Sequence, residues 1–500
     1  MRKSVIYISH FINKRSVYLA LLAYFLGVEL IFQKQIHVLI LLVVFLLCIM
    51  LLVKLYVSTY KKRLFKILII VFLFFVLGVL RYQIDKSLFF LGIEKNYSKI
   101  VEEEVCVDFI KSYKLEKVEY IATSRNFGRV IFSIPISEEY FEEGERLLLK
   151  GELSEPFESA DFSYKNYLKI YKVNYVLRNT EVVERYGFVC RSEFVKYYIS
   201  KLKSLSCQNL DLVFPEPASS LIKGLSIGLN ISSFPKFQKD LQISGLGHIT
   251  AVSGYNMTLV LTIVGSMNLF FNKRKFILII SVVLLFYGFL VGFSNYAAMR
   301  ALIMSFFALF ASFSGRKSSV IDNLVYSAFV LGFFNPLVYK SIGFVFSSVA
   351  TLGLCTTTRI FENWFFKFFK NRLSELSANL AASVWIYPLS LYNFHTLSLH
   401  SFILNLVLSP IISVATLISF GLFLLSIISL RMLRLMWFLV IPFELLVWVI
   451  QLGGRFKFLF MEKVETKFIF IFTFYFLVFL KVTQWYFNYK FLSYTHKLTK

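Results

Sequence analysis

The chain has 500 residues, of which 57% are hydrophobic and 18% aromatic, and its mean hydropathy is +0.67. This composition excludes a soluble globular enzyme and predicts a polytopic membrane protein. The 54 Lys and Arg residues against 30 Asp and Glu residues leave a net charge of +24. Such an excess is typical of a protein with anionic partners, or of cytoplasmic loops that hold membrane helices in place.

Apolar stretches recur along the chain, each close to the roughly 20 residues that a helix needs to cross a bilayer. The candidate spans are residues 16–32, 37–57, 64–80, 250–271, 276–293, 297–314, 320–334, 342–359, 377–393, 400–428, 435–452 and 468–488. Alternate loops are basic, which predicts a multi-pass protein of the cytoplasmic membrane with about 12 spans and both termini inside. The loop at 454–467 mixes acids and bases and departs from this pattern.

The chain divides into four predicted segments. Residues 1–81 form a three-span membrane section, and residues 82–191 an external domain. Within the latter, Val118–Ile121, Arg129–Ile134 and Leu147–Lys150 alternate as strands do, which predicts a small β barrel or sandwich. Residues 192–247 show helical spacing with lysines around apolar positions, typical of helices on a membrane surface. The lysines of interest are Lys223, Lys236 and Lys239. Residues 248–500 form the main bundle.

The five cysteines make no disulfide framework and show no metal-ligand spacing, so we expect neither a metal nor another cofactor. Cys106 and Cys190 bracket the external segment and can pair if it faces an oxidising exterior, although Cys207 is a competing partner. The sequence contains no Gly-x4-Gly-Lys-Ser/Thr loop, no kinase signature and no His-x-His-x-Asp-His run. We therefore expect a protein without an ATPase or nuclease site, and not an enzyme.

Residues 243–257 combine glycines and polar side chains where an apolar span begins. The residues concerned are Gly245, Gly247, His248, Ser253, Gly254 and Asn256. Irregular backbone at membrane depth is tolerated where it lines protein or a watery cavity. A helix that begins there points its free N–H groups into that cavity, where they suit a passing phosphate. The alternative is an ordinary capped helix start at the membrane surface.

Polar groups also interrupt the later spans. Arg300 is costly if it faces lipid, which makes it a functional candidate, with a structural pairing as the alternative. Asn405 lies near the start of another span, while Pro388 and Pro410 predict helix breaks. His248 and Ser253 also permit an intramembrane hydrolase, although they do not form a Gly-x-Ser-x-Gly elbow.

The sequence resembles the ComEC-type competence membrane channels, which pass single-stranded DNA across the cytoplasmic membrane in natural transformation. The resemblance rests on Gly224–Gly228 and Ser244–Met257, with support from Met299–Ala301 and Asn335–Pro336. Asp161–Leu168 resembles the stretch that closes the family's external OB-like domain. The resemblance implies an α-helical channel with an inserted OB-like β domain. Because that domain is net acidic here, a gating or structural role and a DNA-binding role both stay open.

The resemblance also implies a DNA path and partners. The path residues would be Gly245, Gly247, His248, Ser253, Gly254, Asn256, Arg300 and Asn405. The partners would be single-stranded DNA, membrane lipid, a separate cytoplasmic ATPase or helicase, an external DNA receptor and a further copy of the chain. The metallo-β-lactamase-like domain of many family members is not expected here, so a separate nuclease is implied. A small-molecule or ion transporter and a hydrolase using Ser253 are the alternative functions.

Overall fold

The computed structural model describes most of the chain in segments. The described residues are 18–33, 59–90, 100–113, 117–135, 141–158, 163–190, 194–229, 235–247, 273–292, 294–369, 373–398, 401–456, 460–461 and 474–475. The predicted spans at 37–57, 250–271 and 468–488 lie outside these residues, or almost entirely so.

The helices are α1 (Tyr18–Phe32), α2 (Thr59–Phe90), α3 (Tyr164–Lys169), α4 (Phe194–Val213), α5 (Ala218–Ile227), α6 (Pro235–Ile243), α7 (Lys273–Val291), α8 (Tyr296–Phe313), α9 (Val320–Phe334), α10 (Ile342–Phe369), α11 (Ser374–Phe394), α12 (Ser401–Ile428), α13 (Leu430–Leu435) and α14 (Val440–Arg455). The strands are β1 (Ile100–Tyr113), β2 (Lys117–Ser124), β3 (Gly128–Pro135), β4 (Glu145–Ser154), β5 (Val173–Val189), β6 (Leu397–Ser398) and β7 (Phe460–Met461).

The chain folds into two compact units that are each discontinuous in sequence. Unit 1 comprises Met1–Lys111, Lys117–Tyr197 and Phe293–Phe344. Unit 2 comprises Ser112–Glu116, Tyr198–Gly292 and Val345–Lys500. The division into four consecutive segments stays a prediction.

Unit 1 contains a closed five-stranded barrel with the strand order β1-β2-β3-β5-β4. Strands β3 and β5 pair in parallel, while β4 pairs antiparallel with both β1 and β5. Side chains alternate between the interior and the outside, as β4 illustrates with Leu147, Leu149 and Leu153 all fully buried. The predicted strands lie within β2, β3 and β4, and a small β domain is confirmed. A five-stranded closed barrel is consistent with an OB-like fold.

Helix α3 covers one outer face of the barrel. The Ser163 side chain caps the helix by accepting a hydrogen bond from the Asn166 N–H at 3.3 Å. Leu168 of the helix is buried against Ile121 and Ile131 on neighbouring strands. Because these outward-facing side chains are apolar, the helix supplies the cover that they need, and it fixes the turn that leads into β5.

The apolar helices of unit 1 include the pair α8 and α9. Asn295 and Ser319 cap the two helices by accepting from backbone N–H groups at 3.2 and 3.4 Å. Helix α9 ends at Phe334 because Pro336 disfavours helical geometry in the residue before it. The two helices agree with the predicted segments 297–314 and 320–334 to within one residue.

Unit 2 is a helical core in which α5 is central. Every residue of α5 except Lys223 is buried, and its apolar side chains pack with those of α6, α12 and α14. Helix α4 joins α12 through a hydrogen bond between the Ser206 and Ser426 hydroxyls. Helix α5 is thus buried within the protein, and the membrane-surface location of residues 192–247 stays a prediction. Its polar residues are mostly small serines, which close helix packing can bury.

Three helices in the described part of the chain are long and apolar enough to cross a membrane: Ile342–Lys367, Ile411–Ile428 and Trp437–Arg455. Shorter apolar helices cover Tyr18–Phe32, Ile279–Val291, Tyr296–Ser312 and Val320–Phe334. The count of about 12 spans stays a prediction. The helix breaks expected at Pro388 and Pro410 are wrong, because α11 and α12 continue through them. Neighbouring helices and hydroxyl groups can satisfy the backbone groups that such prolines leave unpaired.

Candidate functional site

The part of the 243–257 segment that the structure describes is the end of α6. The Gly245 N–H donates to the Gln242 carbonyl at 3.0 Å, and the Leu246 N–H donates to the Leu241 carbonyl at 2.8 Å. Gly245 has a φ of 70°, a left-handed conformation that glycine adopts without strain. These two hydrogen bonds and this conformation form a Schellman cap, with Leu241 and Leu246 both buried.

Gly245 also packs directly on the segment that leads into α12. A Cβ atom added at Gly245 would overlap the Cβ of Ser401 and would lie 3.2 Å from the Cβ of Ser398. The Ser398 hydroxyl donates to the Ile243 carbonyl at 2.6 Å, and the Ser401 hydroxyl donates to the Ser398 carbonyl at 2.8 Å. The position therefore requires glycine both for its backbone conformation and for the space it leaves.

Two further glycines bring α14 against α6 and the turn that follows it. A Cβ added at Gly453 would lie 3.1 Å from the Cβ of Ser244, and one at Gly454 would lie 2.8 Å from the Cβ of Asp240. This pair was not among the predicted functional residues, although consecutive glycines at the end of an apolar helix are a signal for close packing. We call Gly245, Ser398, Ser401, Gly453 and Gly454 the glycine junction.

Of the other predicted path residues, the structure describes Gly247, Asn405 and Arg300. Gly247 is exposed, and a Cβ added there would meet no atom within 4 Å. Asn405 is half-buried in α12, beside Leu404, whose side chain contacts the Gly453 position. His248, Ser253, Gly254 and Asn256 lie outside the described residues. The structure thus brings Gly245 to the start of the helix that carries Asn405, and the remaining path stays a prediction.

Arg300 belongs to unit 1 and lies on α8, within the apolar stretch Tyr296–Ser312. Only 4% of its surface is exposed, and its Nη1 donates to the Met304 sulfur at 2.8 Å. A guanidinium keeps its charge in proteins and carries five donors, whereas a thioether is a weak acceptor. A buried arginine in an apolar helix is a site at which an anion can be bound.

One helical turn before Arg300, Tyr296 contacts the β barrel. The contact is made by Ile170 and Tyr171, and we call these two residues together with Lys172 the barrel turn. Asn335 donates from Nδ2 to the Ile170 carbonyl at 2.7 Å and to the Tyr296 hydroxyl at 2.5 Å. The Tyr171 and Tyr296 ring centroids lie 6.4 Å apart. The sequence singled out Asn335 only within the motif Asn335–Pro336, so this contact was missed.

Ion pairs between side chains also hold the barrel turn. Lys172 pairs with Asp85 of α2 at 2.5 Å, and Arg81 lies 3.4 Å from the same carboxylate. The Asp85 side chain is only 2% exposed. Burial lowers the pKa of Lys172 from its ordinary value, and the Asp85 carboxylate opposes that shift. The amine therefore depends on Asp85 to carry its charge in this buried position.

The three lysines singled out from the sequence have different surroundings. Lys223 pairs with Asp211 at 2.6 Å and with Glu216 at 3.4 Å. Burial acts to lower the pKa of Lys223, but the hydrogen bond and charge of Asp211, together with the charge of Glu216, raise it above its ordinary value. Lys236 and Lys239 are exposed on α6, and no described carboxylate lies within ion-pair distance of either. Only these two present charge to the surroundings.

Cys106 and Cys190 are joined in the structure by an S–S bond of 2.07 Å, which connects β1 to the residue after β5. Cys207 is a free thiol. Among the residues that the structure describes, no group of three or more His, Cys, Asp or Glu side chains is placed to hold a metal ion.

Comparison with known proteins identifies the family. The family model described as Competence protein matches residues 226–488, more than half of the chain. The chain is 23% identical over 282 residues to ComE operon protein 3 of Bacillus subtilis (strain 168), a match that covers 54% of this chain and 34% of that protein. The chain thus matches about a third of the length of this curated relative. No solved structure matches the chain. The resemblance predicted from the sequence is confirmed, and the chain belongs to the competence protein family.

Proposed function

We propose that this chain takes part in DNA uptake during natural transformation, as a membrane channel that passes single-stranded DNA across the cytoplasmic membrane. Membership of the competence family supports the role in DNA uptake. The three helices that are long and apolar enough to cross a bilayer support a membrane location. The chemistry of the buried arginine on α8 supports the channel activity.

The observation that carries the proposal is the burial of Arg300 in the apolar helix α8. A charged side chain within an apolar helix costs free energy, and such residues mark substrate and ion pathways. A guanidinium can donate two parallel hydrogen bonds to phosphate oxygens, so Arg300 has the chemistry to hold a passing phosphodiester. Arg300 therefore binds successive phosphates in the path.

The charge of the chain suits a polyanion outside the acidic external domain. Residues 91–187 hold 18 acids and 14 bases, so the remaining residues hold 30 − 18 = 12 acids and 54 − 14 = 40 bases. Lys236 and Lys239 are exposed cations in this remainder. Single-stranded nucleic acid gains most of its sequence-independent affinity from such groups. We place Gly245, Gly247, His248, Ser253, Gly254, Asn256 and Asn405 along the same path.

The sequence contains no Gly-x4-Gly-Lys-Ser/Thr loop that would bind ATP to drive translocation. We propose a separate cytoplasmic ATPase or helicase that drives the strand, an external receptor that delivers it, and a separate nuclease that removes the second strand. Both termini face the cytoplasm and residues 82–191 face outward in this proposal, with lipid around the bundle and a second copy of the chain as a further partner.

The test compares two arginines of the same helix region. Arg300→Gln should lower the uptake of labelled DNA by about tenfold or more, because a hydrogen bond to a charged group contributes about 1.5–3 kcal/mol. The matched control is Arg316→Gln, which removes an exposed arginine just after α8 and should leave uptake unchanged. Membrane insertion of both variants is measured by fractionation. Normal uptake with Arg300→Gln would remove the proposed role of this residue.

A further inference from the structure

All three residues of the barrel turn are held by the membrane helices of unit 1, and each by a different kind of contact. Ile170 accepts a hydrogen bond from Asn335, which follows α9, and its side chain is buried with Tyr24 of α1. Tyr171 faces the ring of Tyr296 on α8. Lys172 reaches Asp85 on α2. Four helices therefore fix a single turn of the external domain.

The barrel side of the turn is held by a cation as well. Arg129 of β3 donates from Nη1 to the Tyr171 carbonyl at 3.1 Å and pairs through Nε with Asp108 at 2.9 Å. Lys172 and Arg129 thus lie on either side of Tyr171, and each is neutralised by a carboxylate that is almost fully buried. A phosphate can compete with these carboxylates for the two cations, and Asp85 keeps Arg81 at 3.4 Å when Lys172 binds a phosphate instead.

The position of this contact relates it to the proposed channel. Tyr296 and Arg300 are four residues apart on α8, so their side chains lie on the same face of the helix, one turn apart. The charge pattern places the N-terminal end of α8 outside. A strand that reaches Arg300 from outside must therefore pass the Tyr171 and Tyr296 rings.

We propose that the barrel turn is a latch at the outer end of α8, and that single-stranded DNA opens it. This inference rests on the proposed channel function. A backbone phosphate displaces the Asp85 carboxylate from Lys172, and a base stacks on the Tyr296 ring that Tyr171 leaves. In the absence of DNA, the three contacts keep the turn packed against the helices of unit 1, and the path is closed. The single strand shifts this equilibrium because it binds the open state more tightly than the closed one.

The test reads the position of the turn directly. Ile170 is 3% exposed, so a cysteine at this position is protected while the latch is closed. The full chain carries Ile170→Cys, with Cys48, Cys207 and Cys355 replaced by Ser, and is reconstituted in phospholipid nanodiscs. The measured quantity is the rate of labelling by a charged maleimide. Asp85→Asn should raise this rate about tenfold, since the isosteric amide cannot neutralise Lys172.

Several comparisons make the result specific. Glu104→Gln removes the carboxylate of an exposed ion pair in the same barrel and should leave the rate unchanged. Lys172→Gln removes the other partner of the latch and should raise the rate as Asp85→Asn does. A thymidine oligonucleotide should raise the rate in the chain with an intact latch, and inorganic phosphate at the same phosphate concentration should raise it much less.

The outcomes separate this proposal from the channel proposal. An unchanged rate in both Asp85→Asn and Lys172→Gln, measured on protein that stays monodisperse, would overturn the latch. An oligonucleotide that has no effect, or no more effect than inorganic phosphate, would overturn opening by the single strand. Neither result changes the uptake defect that we expect for Arg300→Gln, and that variant tests the channel function alone.

Discussion

The barrel turn of unit 1 and the glycine junction of unit 2 bring distant parts of the chain together by opposite means. At the barrel turn, long polar side chains reach across to donate hydrogen bonds or to pair charges, as Asn335 and Lys172 do. At the glycine junction, side chains are absent or small, and the backbone of one element lies against the side chains of another.

This difference predicts different mechanical behaviour. A contact made of hydrogen bonds and ion pairs can be exchanged for equivalent contacts to a ligand, so its net free energy is small and its state can change. A contact made by close packing has no such substitute, because any added atom must displace its neighbours. The barrel turn is suited to a moving part, and the glycine junction to a fixed one.

The largest effect should come from adding one carbon to the junction. Gly245→Ala places a Cβ onto that of Ser401 and a side chain in the left-handed conformation. The two penalties together are about 2–5 kcal/mol, a large fraction of the stability of a typical domain. We expect a strongly lowered thermal unfolding temperature of the full chain in detergent, measured by tryptophan fluorescence.

Gly247→Ala is the matched control, since the added Cβ meets nothing within 4 Å. It should change the stability by no more than about 0.5 kcal/mol. Combining Gly245→Ala with Ser401→Gly removes the overlap with the Ser401 Cβ but not the backbone strain. Gly245→Ala should therefore cost less stability when it is added to Ser401→Gly than when it is added to the parent chain. Equal stability of the two alanine variants would show that the junction can shift to accommodate the added carbon. The contrast between a fixed junction and a movable barrel turn would then be wrong.

The sequence predicted the local elements well. The alternation in β2, β3 and β4 and the bounds of α9 are set by neighbouring residues, so the periodicity indicates them directly. The contact between Asn335 and the Ile170 carbonyl joins residues 165 positions apart, and no local pattern contains it. A residue that ends one helix can also bind the backbone of a second element, and only the fold determines whether it does so.

The glycine-rich segment shows a second limit. Gly245 ends α6, a role that the sequence did not indicate, while the helix start predicted after it lies outside the described residues. A left-handed glycine signals a change of direction but not which side of it is helical. The role of Gly453 and Gly454 was missed for a related reason, because their neighbours are Ser244 and Asp240, far away in the chain.

A smaller effect is expected from loosening the barrel side of the turn. Arg129→Gln removes the partner of Asp108, whose side chain is 6% exposed, and the donor to the Tyr171 carbonyl. Breaking a buried ion pair costs about 3–5 kcal/mol, and because the Arg129 side chain is 29% exposed we expect about 2 kcal/mol here. Hydrogen exchange of the β3 and β5 amides in the full chain should become faster, with the amides of α12 unchanged. Unchanged exchange in β3 would show that Asp108 does not need this cation.

The smallest effect should come from an arginine of the same barrel that faces solvent. Arg146 pairs with Glu104, and the two side chains are 39% and 38% exposed. Exposed pairs gain little because water screens them, so Arg146→Gln should leave the exchange of the β1 and β4 amides unchanged within error.

The pH dependence of this ion pair follows from the pKa of Glu104. The hydrogen bond from Arg146 lowers that pKa, so any contribution of the pair to the stability of the barrel is stabilising. Any stabilisation is present above the ordinary pKa of Glu104 and is lost as the pH falls through the lowered value. A difference between Arg146→Gln and the parent chain should therefore vanish in acid. If Arg146→Gln instead accelerates exchange as strongly as Arg129→Gln at neutral pH, burial is not what makes the ion pairs of the barrel turn effective.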